Sequence, residues 1–528
     1  MKVVTQAVAG ALTPREKLIF LSGTILAILS AVGFITARIY RQGVWVPIAG
    51  GIYSEGFIGQ PVDSNPVTAQ SLSDKALSVM LYSSISDLAE TIETKDFKNF
   101  QIKLRDGLEW ADGEPITTDD LIFTLDSIKN PAARSPLLSA WQNVEVERVS
   151  ALHLSVNLPE PYAWFSEILK NTRPIPHHVY ESVAPENFHL SAYRLEPIGS
   201  GPYQVSEIRQ LLSGFVREIK LTRNNNYWGK EALIPDFRFR FYTNQEKLSD
   251  ALRRREILGF LNLEPNPDPT TSRGLKTTII PSARVTTVFL NSTNNPKLSS
   301  ASIRKALSAG SNRASFKEIF GSEVELSTSP LPPSLGGPEV NLEHSIQPEL
   351  NGLSLNLLVP QSKFWEKTAS SLREAWLGAG AAEINILNVS PDVLNSRLLA
   401  GNYEAALFGL APDYIYDLFP FWHSRARLDG KNVAGYADPE TDKILEMARR
   451  TGDENSSVQV ANRLTGGQGA IFLMTLPFVH THTEKLSGLN LSAASRVEEI
   501  YSTAANWSVL KARVLLDAGQ TAGYNIVN

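Results

Sequence analysis

Residues 353–410, LSLNLLVPQSKFWEKTASSLREAWLGAGAAEINILNVSPDVLNSRLLAGNYEAALFGL, decide the fold of this chain. Apolar side chains alternate over 353–359, recur at helical spacing over 364–376, and alternate again at Ile384 and Ile386. A period of two, then 3.6, then two is the pattern of a strand, a helix and a second strand. The stretch therefore predicts a β-α-β unit.

The pattern continues to the end of the same stretch. Residues 391–400 predict a second helix, with Pro391 acceptable in its first turn, and the apolar run 405–410 is typical of a buried parallel strand. In open α/β sheets, ligands bind in the crevice outside the carboxyl ends of the strands. The loop 411–417, APDYIYD, leaves such an end and is a candidate binding loop.

Length and composition indicate a large globular protein. The chain has 528 residues, 43% hydrophobic and 20% charged, which predicts two or three packed units with a substantial core. It contains no cysteine. Disulfides, thiolate metal sites, cysteine nucleophiles and a lipid-modified N-terminal cysteine are therefore excluded.

The charge distribution argues against nucleic-acid binding. The formal net charge is −5, and without residues 1–43 it is −9, from 45 basic and 54 acidic residues. The densest basic run, 253–255, is followed at once by Glu256. Binding to phosphates needs clustered Lys and Arg, so we interpret this run as a solvated helix face.

An uncharged stretch near the N-terminus is long enough to cross a membrane. Residues 18–37, LIFLSGTILAILSAVGFITA, span a hydrocarbon layer of about 30 Å at about 1.5 Å per residue. A cleaved signal peptide is the alternative, but Arg38 and Arg41 follow where a small-residue cleavage site is required. We expect a retained anchor with a cytoplasmic N-terminus and a large domain outside.

Several motifs, in the right chain order, resemble the extracytoplasmic solute-binding proteins of oligopeptide and dipeptide ABC importers. Residues 103–120, KLRDGLEWADGEPITTDD, are similar to the family pattern L-R-x-G-x-x-W-x-D-G-x-P-x-T-A-x-D. Residues 59–66 (GQPVDSNP), 197–203 (PIGSGPY), 223–228 (RNNNYW) and 303–313 (IRKALSAGSNR) resemble further segments of that family. Together they cover nearly everything from about residue 50 to about 507.

The resemblance implies an α/β chain with a two-lobed, periplasmic-binding-protein-like fold and an inserted third subdomain, preceded by one transmembrane helix. The implied divisions are a cytoplasmic N-terminus (1–17), a transmembrane anchor (18–37), a linker (38–49), lobe I (50–66, 197–285 and 488–528), an inserted subdomain (67–196) and lobe II (286–487).

The family's binding loop reads roughly G-W-x-x-D-Y-x-(D/E)-P, and its first acid pairs with the α-amino group of a bound peptide. Asp413 matches that acid, while Tyr414 and Asp417 match the following tyrosine and acid. Leu410 and Leu418 replace the tryptophan and the proline. The implied ligand-binding residues are Asp413, Tyr414, Asp417, Leu410, Tyr53 and Asn291. The alternative is that Asp413 only caps the following turn.

Catalysis and cofactor binding find little support in the sequence. Residues 466–469 (GGQG) lack the Lys-Ser/Thr of a phosphate loop, and no nearby acid completes a metal-ligand set with His480 and His482. We therefore expect no enzyme, no cofactor and no metal.

The partners implied by the resemblance are a short peptide or similar small solute, an ABC permease with its ATPase, and the membrane, but no nucleic acid. The same fold with a glycan, nickel complex or cell-wall peptide as its ligand is the first alternative. The second alternative is a sensor or structural ectodomain without transport.

Overall fold

The computed structural model describes residues 13–265, 273–321, 324–340, 345–427, 431–466 and 469–514. Within these residues eighteen strands form four sheets. The strands are β1 (Val44–Ile48), β2 (Ile52–Ile58), β3 (Ala89–Thr94), β4 (Asn99–Leu104), β5 (Glu145–Arg148), β6 (His153–Asn157), β7 (Tyr203–Gln210), β8 (Val216–Arg223), β9 (Asp236–Tyr242), β10 (Gly259–Asn262), β11 (Leu275–Ile280), β12 (Val285–Leu290), β13 (Ser354–Pro360), β14 (Glu383–Val389), β15 (Ala405–Leu410), β16 (Ala470–Thr475), β17 (Phe478–Thr483) and β18 (Leu510–Val514).

The same residues contain sixteen α-helices. These are α1 (Pro14–Gln42), α2 (Leu72–Leu81), α3 (Ile85–Leu88), α4 (Thr118–Lys129), α5 (Leu138–Trp141), α6 (Phe165–Asn171), α7 (His177–Tyr180), α8 (Gln245–Arg253), α9 (Ala301–Ala309), α10 (Ala314–Phe320), α11 (Lys363–Ala379), α12 (Pro391–Leu399), α13 (Phe419–Trp422), α14 (Pro439–Thr451), α15 (Glu454–Arg463) and α16 (Val497–Tyr501).

Lobe I is built on a seven-stranded mixed sheet, in the order β11-β17-β10-β2-β9-β8-β7. Strand β9, DFRFRFY, shows why these residues pair as strands: Phe237, Phe239 and Phe241 alternate with polar residues and are buried on one face. The ring of Phe239 stacks on Phe57 of β2 at 4.8 Å between centroids. The aromatic side chains of two parallel neighbours therefore form the centre of this core.

Lobe II is built on a five-stranded sheet, in the order β14-β13-β15-β12-β16. Strand β13 lies parallel to both β14 and β15, with α11 and α12 as the crossovers. The predicted β-α-β arrangement of residues 353–410 is therefore confirmed. Its carboxyl strand ends, at Pro360, Val389 and Leu410, lie at the same edge of the sheet.

The inserted subdomain contains a four-stranded antiparallel sheet, in the order β3-β4-β6-β5. Helix α4 begins with a capping box, in which the Thr117 side chain accepts from the Asp119 N–H at 3.2 Å and Asp120 accepts from the Thr117 N–H at 2.9 Å. Asp120 also accepts from the His177 N–H at 2.9 Å. This cap therefore joins two helices of the subdomain.

Glycine explains how the chain returns from this subdomain to lobe I. A Cβ added at Gly199 would lie 1.9 Å from the Leu81 carbonyl oxygen, and one at Gly201 would lie 2.6 Å from the Leu81 carbonyl carbon. The Gly201 N–H donates to that same Leu81 carbonyl at 2.8 Å. Only glycine permits this close backbone approach.

Strand pairing corrects two of the expected boundaries. Strand β17 was expected in lobe II, which was to end at residue 487, but it pairs with β10 and β11 in the sheet of lobe I. Residues 38–49, expected to form a linker, instead contain the end of α1 and strand β1, which pairs with β18. Residues 1–12 and 515–528 of the expected divisions lie outside the described residues.

Two segments, 281–284 and 476–477, connect the lobes, and Arg284 holds them together. Its guanidinium donates to the carbonyls of Leu476 at 2.6 Å and Pro477 at 3.0 Å, and lies 4.0 Å from the ring centroid of Phe478. Burial lowers the pKa of Arg284 to about 10, so it remains charged at neutral pH. Two adjacent connections of this kind form a hinge.

Candidate ligand site between the lobes

The loop after β15 extends from the carboxyl edge of the lobe II sheet toward the inserted subdomain. It carries Asp413, Tyr414 and Asp417, three of the residues expected to bind ligand. The structure places these side chains in different surroundings. Two of them contact protein groups across the lobe boundary, and one faces a cavity.

Asp417 is a structural residue of the contact between the lobes. Arg449 donates Nε to its Oδ1 at 2.9 Å and Nη2 to its Oδ2 at 2.6 Å, and the Tyr162 hydroxyl donates to Oδ2 at 2.9 Å. Only 3% of Asp417 is exposed. We call Tyr162, Asp417 and Arg449 the latch, because Tyr162 belongs to the inserted subdomain and the other two to lobe II.

The latch is reinforced by aromatic rings and by the backbone. The Arg449 guanidinium lies 4.1 Å from the ring centroid of Phe419 and 4.8 Å from that of Tyr162. The Ala163 N–H donates to the Arg449 carbonyl at 2.7 Å. Burial works to lower the pKa of Arg449, but the charge and hydrogen bonds of Asp417 outweigh it and raise that pKa. Both charges of the pair are therefore satisfied within the protein.

Tyr414 also belongs to the contact between the lobes. Its ring centroid lies 5.2 Å from that of Trp164, and its hydroxyl donates to Glu454 Oε1 at 3.0 Å. Burial and that hydrogen bond raise the pKa of Tyr414. Its exposed edge remains next to Asp413 in the loop.

Asp413 is the acid that faces the cavity. Its side chain is 54% exposed, and its Oδ1 lies 3.6 Å from Nη1 of Arg496. The cavity, about 90 Å³, lies between lobe II on one side and lobe I with the inserted subdomain on the other. Its lining residues are Pro66, Ala69, Lys75, Ser78, Val79, Pro136, Leu137, Asn171, Arg173, Asp413, Arg496 and Glu498.

Arg173 is the most deeply buried charge in the cavity wall. It is 5% exposed, and its Nε and Nη1 donate to the carbonyls of Tyr82 at 3.1 Å and Asn171 at 3.3 Å. Burial lowers its pKa to about 10, so it is charged at neutral pH. In the part of the chain that the structure describes, Arg173 forms no ion pair. The charges of Asp87 and Glu498 offset part of the cost of burying this cation, but neither carboxylate pairs with it directly.

The other charges of the cavity are only partly compensated. Lys75 Nζ lies 3.5 Å from Glu498 Oε1, while Glu498 Oε2 and Arg496 Nε have no hydrogen-bond partner among the described residues. The cavity thus contains Lys75, Arg173 and Arg496 as cations and two acids. Groups of both signs are available to a ligand.

Three expected site residues lie away from the cavity. Tyr53 is fully buried in lobe I, where its hydroxyl donates to Glu55 Oε2 at 2.9 Å. Leu410 is buried in the core of lobe II. Asn291 lies at the opposite end of the lobe II sheet, since its N–H donates to the Glu404 carbonyl at 2.8 Å, just before β15 begins. Tyr53, Leu410 and Asn291 therefore do not line this cavity.

His480 and His482 lie inside lobe I. His480 Nε2 lies 2.9 Å from Glu55 Oε1, which also accepts from the Tyr501 hydroxyl at 2.7 Å. Burial lowers the pKa of His482 to about 4, and the charge of His480 lowers it further. The acid beside His480 comes from β2, more than 400 residues away, so no local pattern predicts this pairing.

The fold and the cavity together define the class of protein. Two α/β lobes joined by a hinge, with an inserted subdomain and a charged cavity between them, form the two-lobed architecture of a periplasmic binding protein. The family described as bacterial extracellular solute-binding proteins, family 5 Middle, matches residues 84–431. The chain therefore belongs to that solute-binding family, as its motifs predict.

Individual relatives agree with this assignment. The oligopeptide-binding protein OppA of Bacillus subtilis is 23% identical over 465 residues, 78% of this chain and 83% of OppA. The peptidoglycan-binding protein YepA of Agrobacterium fabrum is 31% identical over 211 residues, 34% of this chain and 32% of YepA. The structure of Bacillus subtilis AppA with a nonapeptide has a TM-score of 0.70 at 20% identity and covers 88% of this chain and 99% of AppA. The predicted fold is confirmed.

Proposed function

We propose that this protein is the membrane-anchored substrate-binding subunit of an ABC importer and that it captures short peptides between its lobes. The observation that carries the proposal is the cavity that is lined by Asp413 of lobe II and by Lys75 and Arg173 of the inserted subdomain. A short peptide has an ammonium and a carboxylate at its two ends. The relatives OppA and AppA, named as oligopeptide-binding proteins, support this choice of solute.

In this proposal Asp413 binds the peptide ammonium. Arg496 Nη1 lies 3.6 Å from Asp413 Oδ1, and Arg496 Nε lies 3.8 Å from Glu499 Oε1. An arriving ammonium replaces Arg496 at Asp413, and Arg496 keeps its second acid. Charge-assisted hydrogen bonds of this kind are about twice as strong as neutral ones.

Arg173 supplies the opposite charge. Its guanidinium is fixed by two carbonyl acceptors and forms no direct ion pair among the described residues, so a peptide carboxylate in the cavity adds one. A cavity of about 90 Å³ is too small for a whole peptide. The lobes must therefore open about the Arg284 hinge to admit the solute and close over it. We infer that the protein binds and releases solute without a catalytic step.

Helix α1 supports the placement of the protein. Among the described residues, this helix is long enough and apolar enough to cross a membrane. Its candidate span is Pro14–Arg38, and none of that span is buried in the protein. We propose that α1 is retained as a single-pass anchor, with the lobes outside the cytoplasm and delivering solute to a permease and its ATPase.

Calorimetric titration of the full chain in detergent, with a mixed di- to pentapeptide library, tests the peptide proposal. Asp413→Asn should weaken binding by about 30-fold or more, because it removes the carboxylate that pairs with the peptide ammonium. Asp392→Asn, in the exposed first turn of α12 on the same lobe, is the matched control and should bind like the wild type.

Two results would contradict the proposal. If Asp413→Asn binds peptides within about threefold of the wild type, Asp413 is a capping residue and the site assignment fails. If the wild type binds no member of this library, the solute is not an ordinary short peptide. An acidic cell-wall peptide is then the leading candidate, because three cations line the cavity and the relative YepA is named peptidoglycan-binding.

A further inference from the structure

The segment that joins the apolar helix to lobe I is short and is bonded to the end of the described chain. Helix α1 ends at Gln42 and β1 begins at Val44, so a single residue separates them. Strand β1 then pairs with β18 over five residues, from Val44 opposite Val514 to Ile48 opposite Leu510. The last strand of the described chain is thereby brought back to the end of the membrane helix.

Arg513 of β18 holds this junction together. Its Nε donates to the Gly43 carbonyl at 2.9 Å, between helix and strand. Its guanidinium lies 5.1 Å from the ring centroid of Tyr40 on α1 and 5.9 Å from that of Trp45 on β1. One side chain thus contacts the helix, the turn and the strand.

The two-stranded ribbon is in turn fixed to the body of lobe I. Val46 is buried, the Ser508 hydroxyl donates to the Ile48 carbonyl at 3.0 Å, and the Gly50 N–H donates to the Leu233 carbonyl at 2.8 Å. The orientation of α1 is therefore coupled to the lobe without a flexible spacer.

The surface of this junction is aromatic and cationic. Tyr40 is 75% exposed and Trp45 49% exposed, and Lys511 and Arg513 lie on the paired strand. Exposed Tyr and Trp side chains are enriched at membrane interfaces, and cations close to a membrane span are attracted to anionic headgroups. We call Tyr40, Trp45, Lys511 and Arg513 the collar.

The position of the collar along the chain matches the depth of the headgroup layer. Tyr40 follows the apolar stretch 18–37 by three residues, which is about 4.5 Å of helix. The polar layer on each side of the hydrocarbon is about 5 to 7 Å thick. Trp45 lies at about the same depth along the membrane normal as Tyr40, because both rings lie beside the Arg513 guanidinium.

We propose that the collar binds the anionic headgroups of the bilayer and thereby fixes the distance and orientation of lobe I relative to the membrane. The partner is a lipid surface that contains phosphatidylglycerol or a similar anionic lipid. This inference rests on the proposed anchoring by α1, which places the collar at the bilayer surface.

The absence of cysteine from the chain permits a direct depth measurement with single nitroxide labels. The full chain is reconstituted into vesicles of phosphatidylethanolamine and phosphatidylglycerol, with one label at Ala31→Cys, Val44→Cys or Leu212→Cys. Val44 adjoins the collar, Ala31 lies within α1, and Leu212 lies in the exposed turn between β7 and β8. Relaxation by oxygen and by a water-soluble nickel chelate reports the depth of each label.

We expect Ala31 in the hydrocarbon, Val44 at headgroup depth and Leu212 in water. If Ala31 is in the hydrocarbon but Val44 matches Leu212, the anchor stands and the collar proposal is overturned, and another partner covers these side chains. If Ala31 is itself in water, both the anchoring and the collar are overturned. The two failures are therefore distinguishable.

A charge variant tests the role assigned to Arg513. Arg513→Gln should move the Val44 label toward water and add a mobile component to its spectrum, whereas Arg209→Gln, an exposed arginine on β7, should change neither. Vesicles of phosphatidylcholine alone should reduce the depth of the Val44 label in the wild type. An unchanged depth in both experiments would overturn the assignment to anionic headgroups.

Discussion

The latch and the interlobe cavity contain the same kinds of side chains but differ in how completely their charges are paired. In the latch, both oxygens of Asp417 accept hydrogen bonds from Arg449, and Tyr162 adds a third. In the cavity, Arg173 is more deeply buried than Arg449, yet it forms no ion pair within the described residues. The charges of the latch are paired by protein groups without any solute, whereas those of the cavity are only partly paired.

This difference separates stability from binding in a physical way. Removing one partner from a satisfied buried pair leaves the other charge desolvated, so the cost appears in the folded protein itself. A buried charge without a protein partner lowers the stability of the folded protein through its desolvation, and this loss is offset only when a ligand of opposite charge binds. Variants of the latch should therefore change folding, and variants of the cavity should change binding.

The largest expected effect is the loss of stability in Asp417→Asn. It leaves the Arg449 cation without its carboxylate, and because Arg449 is partly exposed we expect a loss of about 2 to 3 kcal/mol in the free energy of unfolding. Asp413→Asn, four residues earlier and half exposed, should change that free energy by about 0.5 kcal/mol or less. Urea unfolding followed by tryptophan fluorescence compares them, and equal losses would contradict the distinction between latch and cavity.

The next effect concerns binding, in Arg173→Met. Methionine removes the cost of the buried charge but leaves the carbonyls of Tyr82 and Asn171 without this donor, so the two effects oppose each other and the free energy of unfolding should change little. Peptide binding, measured by calorimetry, should weaken by about tenfold or more, because the solute carboxylate loses its partner.

Arg313 provides the matched control for this prediction. It is as buried as Arg173, and burial likewise lowers its pKa to about 10, but it donates to the carbonyls of Ser308 at 2.7 Å, Phe472 at 2.9 Å and Ser327 at 3.1 Å. Arg313→Met leaves these acceptors unpaired, so it should destabilise the protein. If Arg173→Met destabilises as much as Arg313→Met, Arg173 is a structural residue and not a ligand group.

The sequence predicted those parts of the fold that depend on local periodicity. Residues 353–410 form the expected strands and helices, because the periodicity that predicts each of them lies within a few residues. The family motifs extended this local information to the whole two-lobed chain.

The contacts that distinguish Asp413 from Asp417 are not local. Arg449 lies 32 residues after Asp417 and Tyr162 lies 255 residues before it. Both acids occupy the same short loop, so no period or propensity separates the buried one from the exposed one. Arg173 and Arg496 similarly come from segments far apart in the chain.

The junction after α1 differs from the expected linker for the same reason. Its residues, GVWVPIAGG, are short and rich in glycine, which is typical of a linker, and the partner strand β18 begins at Leu510, more than 450 residues away. Strand pairing at such separation leaves no trace in the local sequence. The expectation that β17 belongs to lobe II is wrong for the same reason, because its partners β10 and β11 lie about 200 residues earlier.

A smaller effect is expected for the hydroxyl that joins the inserted subdomain to the latch. Tyr162→Phe removes one hydrogen bond to a buried carboxylate that keeps its Arg449 partner, so the loss should be about 1 kcal/mol in the free energy of unfolding. Tyr414→Phe removes a hydrogen bond to the exposed Glu454 and should cost less. Urea unfolding of both variants tests the order, and a greater loss in Tyr414→Phe would contradict it.

The smallest effect is expected at the rim, where Arg425 of lobe II lies 3.3 Å from Glu160 of the inserted subdomain, with the two side chains 64% and 68% exposed. This pair bridges the same two parts of the protein as the latch, but water solvates both charges, so its coupling should be about 0.5 kcal/mol or less. A double-mutant cycle of Arg425→Gln and Glu160→Gln, measured by urea unfolding, isolates that coupling. It should fall further in 1 M salt, where screening acts over about 3 Å, while the loss in Asp417→Asn stays nearly constant because its pair is largely shielded from solvent. A rim coupling as large as the latch effect would show that position between the lobes, and not burial, determines how much a charge pair stabilises the closed protein.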